Sequence, residues 1–269
     1  MTDVKFPVQK IKLALAISLA MLGCTRVQAQ SAEPIIFQRL TLNPNKQLNK
    51  PLIFAAPPPP PNIGEPGRRS DAGSRGSCED MDKQLTQSKE KQFTALVPIY
   101  SGSELVMGLT TSEHPTFWFY VPYKPDFAAK FVLRDRDGKS VYQTNVTLPK
   151  TPGVVSLSLP SAVAPLEIGK PYHWYFKIYC QRQQPPAFVD GWIQRNELNP
   201  MLKSQLEKAT ERERVALYAA NGIWYEALTA SANLGSIDSK NTDWATLLRT
   251  VGLDNIVPEP IVTVLQFNK

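Results

Sequence analysis

The sequence has very little of what common catalytic sites are built from. It contains only two histidines, His114 and His173, and three cysteines in 269 residues. The motifs G-x-S-x-G, H-E-x-x-H, C-x-x-C and G-x-G-x-x-G and the phosphate-binding P-loop are all missing. These absences remove the usual signals for hydrolase, zinc, dinucleotide and nucleoside-triphosphate sites, and we predict no cofactor.

Long hydrophobic runs are missing as well. The apolar run at residues 13–23 has 11 positions, whereas a helix that spans a bilayer needs about 20. The run follows three lysines and precedes the small-residue site "VQAQ", which is typical of a secretory signal. We therefore predict a signal peptide over residues 1–29, an exported protein that is periplasmic or extracellular, and no transmembrane segment after cleavage.

Cysteines are scarce in the predicted mature chain. Removal of residues 1–29 leaves Cys78 and Cys180. Two cysteines in an exported chain favour one disulfide, and the alternative is a pair of unpaired buried thiols. Cys24 follows Gly23 as in the attachment box of bacterial lipoproteins, so a form anchored by lipid through Cys24 remains an alternative to simple cleavage.

Excess charge is also small. The formal net charge is +6, and residues 1–29 carry four basic residues against one acidic residue. The mature chain therefore keeps a net charge near +3. Nucleic-acid binding needs a concentrated basic patch, and we predict no nucleic-acid partner.

Residues 30–76 are rich in proline and glycine. Five consecutive prolines favour an extended polyproline helix, which acts as a spacer. A basic run follows, with Arg68, Arg69 and Arg75 among glycines and serines. It could bind an anion or be a solvated linker. We predict a disordered linker without stable tertiary structure over residues 30–76.

Residues 77–196 form the predicted sandwich domain, and from about residue 93 to residue 195 the pattern is typical of strands. The stretch "AKFVLRDRDGKSVYQTNVTL" predicts a hairpin that turns at Asp137 and Gly138. Short strands at this spacing, separated by proline and glycine, favour an antiparallel β-sandwich of the immunoglobulin-like type.

Residues 197–269 switch to a helical period. Asn199 predicts a helix start, Thr210 with Glu213 matches a capping box, and Gly222 predicts a helix end. The helix pair around Gly222 resembles one tetratricopeptide unit, which cannot bury its apolar face alone. We therefore expect a helical C-terminal region that packs on the sandwich.

Five stretches in a fixed order carry a resemblance to a known family: "GRRSDAGSRGSC", "LTTSEHPTFWFYVPY", "YHWYFKIYC", "GWIQR" and "YAANGIWYEAL". Together they resemble domain-of-unknown-function family 928, a family of exported, mainly cyanobacterial proteins. The resemblance implies export and a bacterial source. It supplies no activity and no catalytic residues.

The stretch "TFWFYV" places large aromatics on both faces of one strand. We expect Phe117 and Phe119 in the sandwich core, and Trp118 and Tyr120 beneath the helices. The alternative is an open ligand platform formed by Trp118, Tyr120 and Tyr175.

Few residues remain as candidates for chemistry. His114 beside Glu113 could bind a metal or move a proton, but a loop fixed by Pro115 explains the pair equally. His173 lies opposite the apolar row of its strand, on the outer face or under the helices. Asp135 and Asp137 flank a tight turn, where acidic side chains commonly form hydrogen bonds with the backbone.

Two functions follow from these patterns. The first is a non-enzymatic binding or structural module of the bacterial cell envelope, with an unidentified envelope protein or polymer as its partner. The second is a glycan-acting enzyme or carbohydrate-binding domain that uses surface aromatics. Two carboxylates across an open aromatic groove would favour the enzyme.

Overall fold

The computed structural model describes residues 52–60, 63–71, 91–100, 102–123, 126–180, 184–237 and 242–265. The predicted signal peptide, Cys24, Arg75 and most of the predicted linker lie outside the described residues. So does Cys78, and the predicted bond between Cys78 and Cys180 stays a prediction.

Within the described residues, ten strands and four helices follow one another. The strands are β1 (Thr94–Ala95), β2 (Ile99–Tyr100), β3 (Leu105–Thr110), β4 (Thr116–Val121), β5 (Ala128–Arg134), β6 (Ser140–Val146), β7 (Gly153–Ser158), β8 (Pro171–Tyr179), β9 (Ala187–Arg195) and β10 (Ile261–Val264). The helices are α1 (Pro200–Lys208), α2 (Glu211–Ala220), α3 (Trp224–Ile237) and α4 (Asp243–Thr250), and a 3-10 turn follows at Asp254–Ile256.

The strands form two mixed sheets. One has the order β1-β4-β7-β10 and the other the order β2-β3-β9-β8-β5-β6. Most neighbours are antiparallel, but β3 pairs with β9 and β10 pairs with β7 in parallel. The prediction of a wholly antiparallel sandwich is therefore wrong at these two pairs. Each parallel pair joins distant parts of the chain, and no local turn signal announces such a pair.

Aromatic side chains fill the space between the two sheets. The ring centroid of Phe119 on β4 lies 4.8 Å from that of Phe176 and 5.7 Å from that of Trp174, both on β8. Phe117 contacts Trp174 in the same way at 6.2 Å. Each such burial stabilises the fold by about 1.5–3 kcal/mol. The prediction that Phe117 and Phe119 face the core is confirmed.

The predicted hairpin is confirmed in β5 and β6. Gly138 has φ +82°, the left-handed conformation that its turn requires. The Asp135 carboxylate accepts hydrogen bonds from the backbone N–H groups of Asp137 and Lys139 at 3.0 and 2.9 Å. Asp135 therefore holds the turn.

The helix ends agree with the sequence signals. The Asn199 side chain accepts from the Met201 N–H at the start of α1, and Thr210 and Glu213 form the reciprocal capping box of α2. Gly222 has φ +71° between α2 and α3. The C-terminal region is nevertheless not wholly helical, because β10 returns to the four-stranded sheet beside β7.

The helices cover the outer face of the four-stranded sheet. Trp118 Nε1 donates to Thr229 Oγ1 on α3 at 2.9 Å, and its ring meets Trp244 of α4 edge-on at 5.4 Å. Trp118 and Tyr120 are each only 5% exposed. The expectation that the helices pack over these outward aromatics is confirmed for Trp118, whereas Tyr120 interacts with Glu259, which lies between the 3-10 turn and β10.

Part of the predicted linker packs against the fold as a strap, defined here as residues 52–60 and 63–71. Ala55 N–H donates to Ala219 O at 3.0 Å, and the Phe54 ring meets Trp224 at 4.9 Å. Ile63 is buried beside Trp192, whose Nε1 donates to Glu65 O at 2.8 Å. The prediction of a disordered linker is therefore wrong for these residues. Extended backbone has no internal hydrogen bonds, so its polar groups are free to pair with the fold.

Candidate functional site

The outer face of the six-stranded sheet carries a cluster of cations that we call the basic face: Lys130, Arg134 and Lys177 around Tyr175. Lys130 on β5 lies directly opposite Lys177 on β8, and Arg134 lies opposite His173. Tyr175 lies between these pairs, opposite Val132. The even spacing of the strands therefore places three positive side chains around one aromatic ring.

The cations of the basic face have no anionic partner within the described part of the chain. The Arg134 guanidinium lies 5.5 Å and the Lys177 ammonium 5.2 Å from the Tyr175 ring centroid. Burial lowers the pKa of Lys177, and the charges of Arg134 and Lys130 lower it further, against an opposing effect of Asp190. Like charges directly opposite each other destabilise a sheet, and a bound anion would relieve that repulsion.

On the same outer face, Tyr175, His173 and Asp190 form a hydrogen-bonded row beside the cations. His173 Nε2 lies 2.7 Å from Asp190 Oδ2, and the Tyr175 hydroxyl lies 2.9 Å from His173 Nδ1. One neutral tautomer satisfies both contacts, with Nε2–H donating to Asp190 and the hydroxyl donating to Nδ1. Trp192 stacks on the imidazole at 4.2 Å with an interplanar angle of 20°.

This row has the order of a catalytic triad with a tyrosine in place of the serine. Burial raises the pKa of Tyr175, and the negative charge of Asp190 raises it further, while Arg134 opposes both effects. The two hydrogen bonds of the row fix the position of the Tyr175 ring beside the cations.

The other sequence candidates do not converge on one site. His114 Nε2 lies 2.9 Å from Val163 O, and Glu113 pairs with Arg195 at 3.1 Å. The two side chains therefore hold loops, and each has a partner other than its neighbour. Among the described residues, no group of three or more His, Cys, Asp or Glu side chains could hold a metal ion.

The predicted anion contacts, Arg68 and Arg69, are engaged within the strap. Arg68 lies 4.2 Å above the Phe188 ring and pairs with Asp71 at 3.5 Å. Arg69 Nη1 donates to Val251 O at 2.6 Å, and burial lowers the pKa of Arg69. Both arginines therefore anchor the strap to the fold.

The predicted aromatic platform does not exist as one surface. Trp118 lies under the helices and Tyr120 is buried on the same sheet, whereas Tyr175 is partly exposed on the opposite side of the sandwich. Tyr120 also interacts with Glu259, and burial followed by that interaction raises the pKa of Tyr120 to about 12. Only Tyr175 of the three lies at an open surface.

A cleft remains between α3, α4 and the four-stranded sheet, which we call the tryptophan cleft. Its volume is about 700 Å³, and it lies beside the partly buried Trp244. Its lining is rich in hydroxyl, amide and indole groups: Thr116, Trp118, Ser156, Ser158, Thr229, Ser231, Asn233 and Trp244.

A second space of about 260 Å³, which we call the Glu226 cavity, adjoins the tryptophan cleft, since Thr116, Thr229 and Asn233 line both. Glu226 Oε1 accepts from Thr110 Oγ1 at 2.6 Å and from the Ser112 N–H at 2.9 Å. The other oxygen, Oε2, is buried without a hydrogen-bond partner among the described residues. Burial raises the pKa of Glu226, and its hydrogen bonds partly oppose this shift.

Sequence reasoning missed Glu226, although a signal was present. The residue lies in "WYEAL" between Tyr225 and Ala227, both of which are buried, and an acid at such a position on a helix is uncommon. Glu211 lines the same cavity but pairs with Arg214 at 2.8 Å. The cavity thus holds two carboxyl groups in contrasting environments.

Comparison with known proteins identifies a family and nothing finer. A family model described as Domain of Unknown Function (DUF928) matches residues 70–261. No curated protein and no solved structure matches the chain. Within the described ranges, none of the helices has the length and hydropathy that a membrane crossing needs.

Proposed function

Because the chain belongs to the DUF928 family, whose description records no activity, we propose a function from its own surfaces. The protein is an exported, non-enzymatic binding module that holds an acidic polysaccharide of the bacterial cell envelope on its basic face. The observation that carries this proposal is the directly opposed pair Lys130 and Lys177, with Arg134 nearby and no ion-pair partner for any of the three among the described residues.

The geometry of the basic face favours an extended ligand. Lys130 and Arg134 lie four positions apart on β5, which corresponds to about 13 Å along a strand. A row of cations of that length matches a polymer with repeated acidic groups better than a single small anion. The Tyr175–His173–Asp190 row on the same face holds the tyrosine ring that the cations surround, so this part of the surface is preorganised.

Burial of the histidine favours binding over catalysis on this face. His173 lies between Trp192 and Tyr175 and is buried, whereas Arg134 is exposed. A ligand on this face therefore meets the cations before the imidazole.

The test is charge reversal with a matched control. We expect Lys130→Glu with Lys177→Glu to abolish retention of the full chain on immobilised alginate at low salt. Lys203→Glu with Lys208→Glu, which alters two exposed lysines of α1, should leave retention unchanged. Raising the salt should weaken binding of the native chain, because screening acts on exposed charges.

Two outcomes would contradict the proposal. One is a native chain that does not bind alginate or any other acidic polysaccharide at low salt. The other is equal loss of retention in both double variants, which would indicate attraction by net charge alone. Stronger retention on polyglutamate than on polysaccharides would instead assign the face to an acidic protein.

Three further features belong to the same proposal. Export rests on the signal-like residues 1–29, and fractionation of cells that express the tagged chain tests it. The oxidising compartment that export provides would support the bond between Cys78 and Cys180. An immunoglobulin-like relationship rests on the two facing sheets, with the parallel pairs as departures from that pattern.

A second candidate, a glycan-acting enzyme, is favoured by one observation. Glu226 and Glu211 line the same cavity, and burial raises the pKa of Glu226 while Glu211 lies at an ion pair. Paired carboxyl groups in contrasting environments are typical of glycosidases. Release of reducing ends from polysaccharides by the native chain, lost in Glu226→Gln, would support this candidate. No release from a broad panel would remove it.

A further inference from the structure

An exposed tyrosine lies next to the basic face, on the same side of the six-stranded sheet. Tyr179 is the last residue of β8, and 39% of it is exposed. It lies opposite Ala128 on β5, one outward row beyond the opposed pair Lys130 and Lys177. Residues two positions apart on a strand are separated by about 7 Å. One ligand can therefore contact the tyrosine ring and the lysine pair together.

The rings of Tyr175 and Tyr179 differ in what already lies against them. The imidazole of His173 lies 4.2 Å from the Tyr175 ring, and the Lys177 ammonium lies 5.2 Å from it. Within the described residues, no aromatic ring or cation lies against Tyr179. Its neighbour across the strands, Ala128, is exposed and has only a methyl side chain. Tyr179 therefore offers the open aromatic surface that Tyr175 lacks.

An amide continues the row of lysines on the other side. Asn145 on the edge strand β6 is exposed and lies directly opposite Lys130. Its side chain can both donate and accept hydrogen bonds. Lys177, Lys130 and Asn145 thus form one row across three neighbouring strands, about 10 Å wide.

This combination of groups favours a sugar ring that carries an acidic group. The lysines bind an anion through charge-assisted hydrogen bonds, and the amide suits a hydroxyl. An open aromatic ring packs against an apolar surface, such as the C–H face of a pyranose. An acidic peptide would use the lysines alone, because it offers no hydroxylated ring to the tyrosine and the amide.

We propose that Tyr179 and Ala128 extend the basic face into a subsite for one ring of a uronic-acid polysaccharide. The ring packs on Tyr179, its carboxylate lies between Lys130 and Lys177, and a hydroxyl reaches Asn145. The inference rests on the proposed function, since it specifies which kind of acidic polymer the basic face holds. It adds a selective contact that charge alone does not provide.

The experiment is calorimetric titration of the full chain at low salt with alginate oligomers and with polyglutamate, which has carboxylates but no sugar rings. We expect Tyr179→Ala to lower the affinity for alginate tenfold or more. Its affinity for polyglutamate should stay within twofold of the native value, because every cation remains. Tyr179→Phe should keep alginate binding within threefold, since the ring is retained. Met201→Ala, at a 72% exposed site on α1, is the matched control and should change neither affinity.

A second variant covers the ring without removing it. Ala128→Ile fills the space opposite Tyr179, and a β-branched side chain favours a strand. We expect this variant to lower the affinity for alginate tenfold or more while the melting temperature stays at or above the native value. If Tyr179→Ala unfolds, Ala128→Ile decides the result alone.

Alginate binding that stays within twofold in Tyr179→Ala and Ala128→Ile would overturn the inference and leave the proposed function standing. Equal losses for alginate and polyglutamate would also overturn it, because the variants would then have disturbed the cations. A native chain that binds polyglutamate but no acidic polysaccharide would contradict the proposed function itself. Failure of the subsite is thereby distinguished from failure of the basic face.

Discussion

The two outer faces of the sandwich carry aromatic side chains in similar strand patterns but have opposite surroundings. On the four-stranded sheet, α3 and α4 cover Trp118, and Tyr120 is buried beside Glu259. On the six-stranded sheet, Tyr175 remains partly exposed among three cations. The contrast shows that aromatic content alone does not distinguish a covered face from an open one. The neighbouring residues distinguish the two faces. Helices supply an apolar cover on one face, and the cations of the other face disfavour such a cover.

The largest expected effect comes from truncation of one aromatic on each face. Trp118→Ala should lower the free energy of unfolding by about 3–5 kcal/mol, since a buried indole leaves a cavity. Tyr175→Ala should cost about 1–2 kcal/mol, mainly because His173 Nδ1 loses its donor. Urea denaturation of both variants measures the difference. Equal losses would mean that the two faces are equally covered.

The cysteine pair tests whether a covalent link stabilises the six-stranded sheet, as the helices stabilise the four-stranded sheet. Cys180 directly follows β8, the central strand of the basic face. Cys78→Ser and Cys180→Ser should each lower stability by about 2–4 kcal/mol. The double variant should be no worse than either single variant, because one bond is lost in each case.

Thiol labelling of the exported native protein, unfolded without reductant, provides the control for the cysteine variants. The predicted bond leaves neither Cys78 nor Cys180 reactive. Two labelled thiols would show that the bond is absent, and additive losses in the double variant would show the same.

The smallest effect is a difference in alkaline stability between the faces. The pKa of Tyr120 is raised to about 12 from its ordinary value of 10.0. Between these values the folded state keeps a proton that the unfolded state has lost, so this group makes stability fall as the pH rises from 10 toward 12. Tyr120→Phe should reduce the loss of stability between pH 9 and pH 11. Tyr179→Phe, at an exposed site on β8, is the control, and equal slopes in all three proteins would contradict the assignment.

Local chemistry in the sequence predicted local structure well. Asp137 with Gly138 specified a hairpin turn, and Thr210 with Glu213 specified a helix start, because each signal acts within a few residues. The strand β3 was missed because all six of its residues are buried, and a strand buried on both faces does not alternate. The docking of the strap was missed because its contacts are backbone hydrogen bonds and packing onto distant elements.

The site was less predictable than the fold for the same physical reason. The position of His173 on the outward row of β8 followed from alternation, but its partner Asp190 depends on the register between β8 and β9. The opposition of Lys130 and Lys177 depends likewise on the register between β5 and β8. Register is a property of the assembled sheet, and spacing within one strand does not reveal it.

The two parallel pairings have a kinetic consequence. Met107 on β3 lies opposite Trp192 on β9, and Val154 on β7 lies opposite Ile261 on β10. Each pairing joins positions more than eighty residues apart. Closing so long a loop costs conformational entropy, and the contacts between the paired strands offset that cost only after they have formed. We expect a chain of this topology to reach its native state slowly and to stay unfolded for longer. If the proposed export carries the chain in its unfolded state, slow folding is an advantage during translocation and a hazard of aggregation when translocation fails.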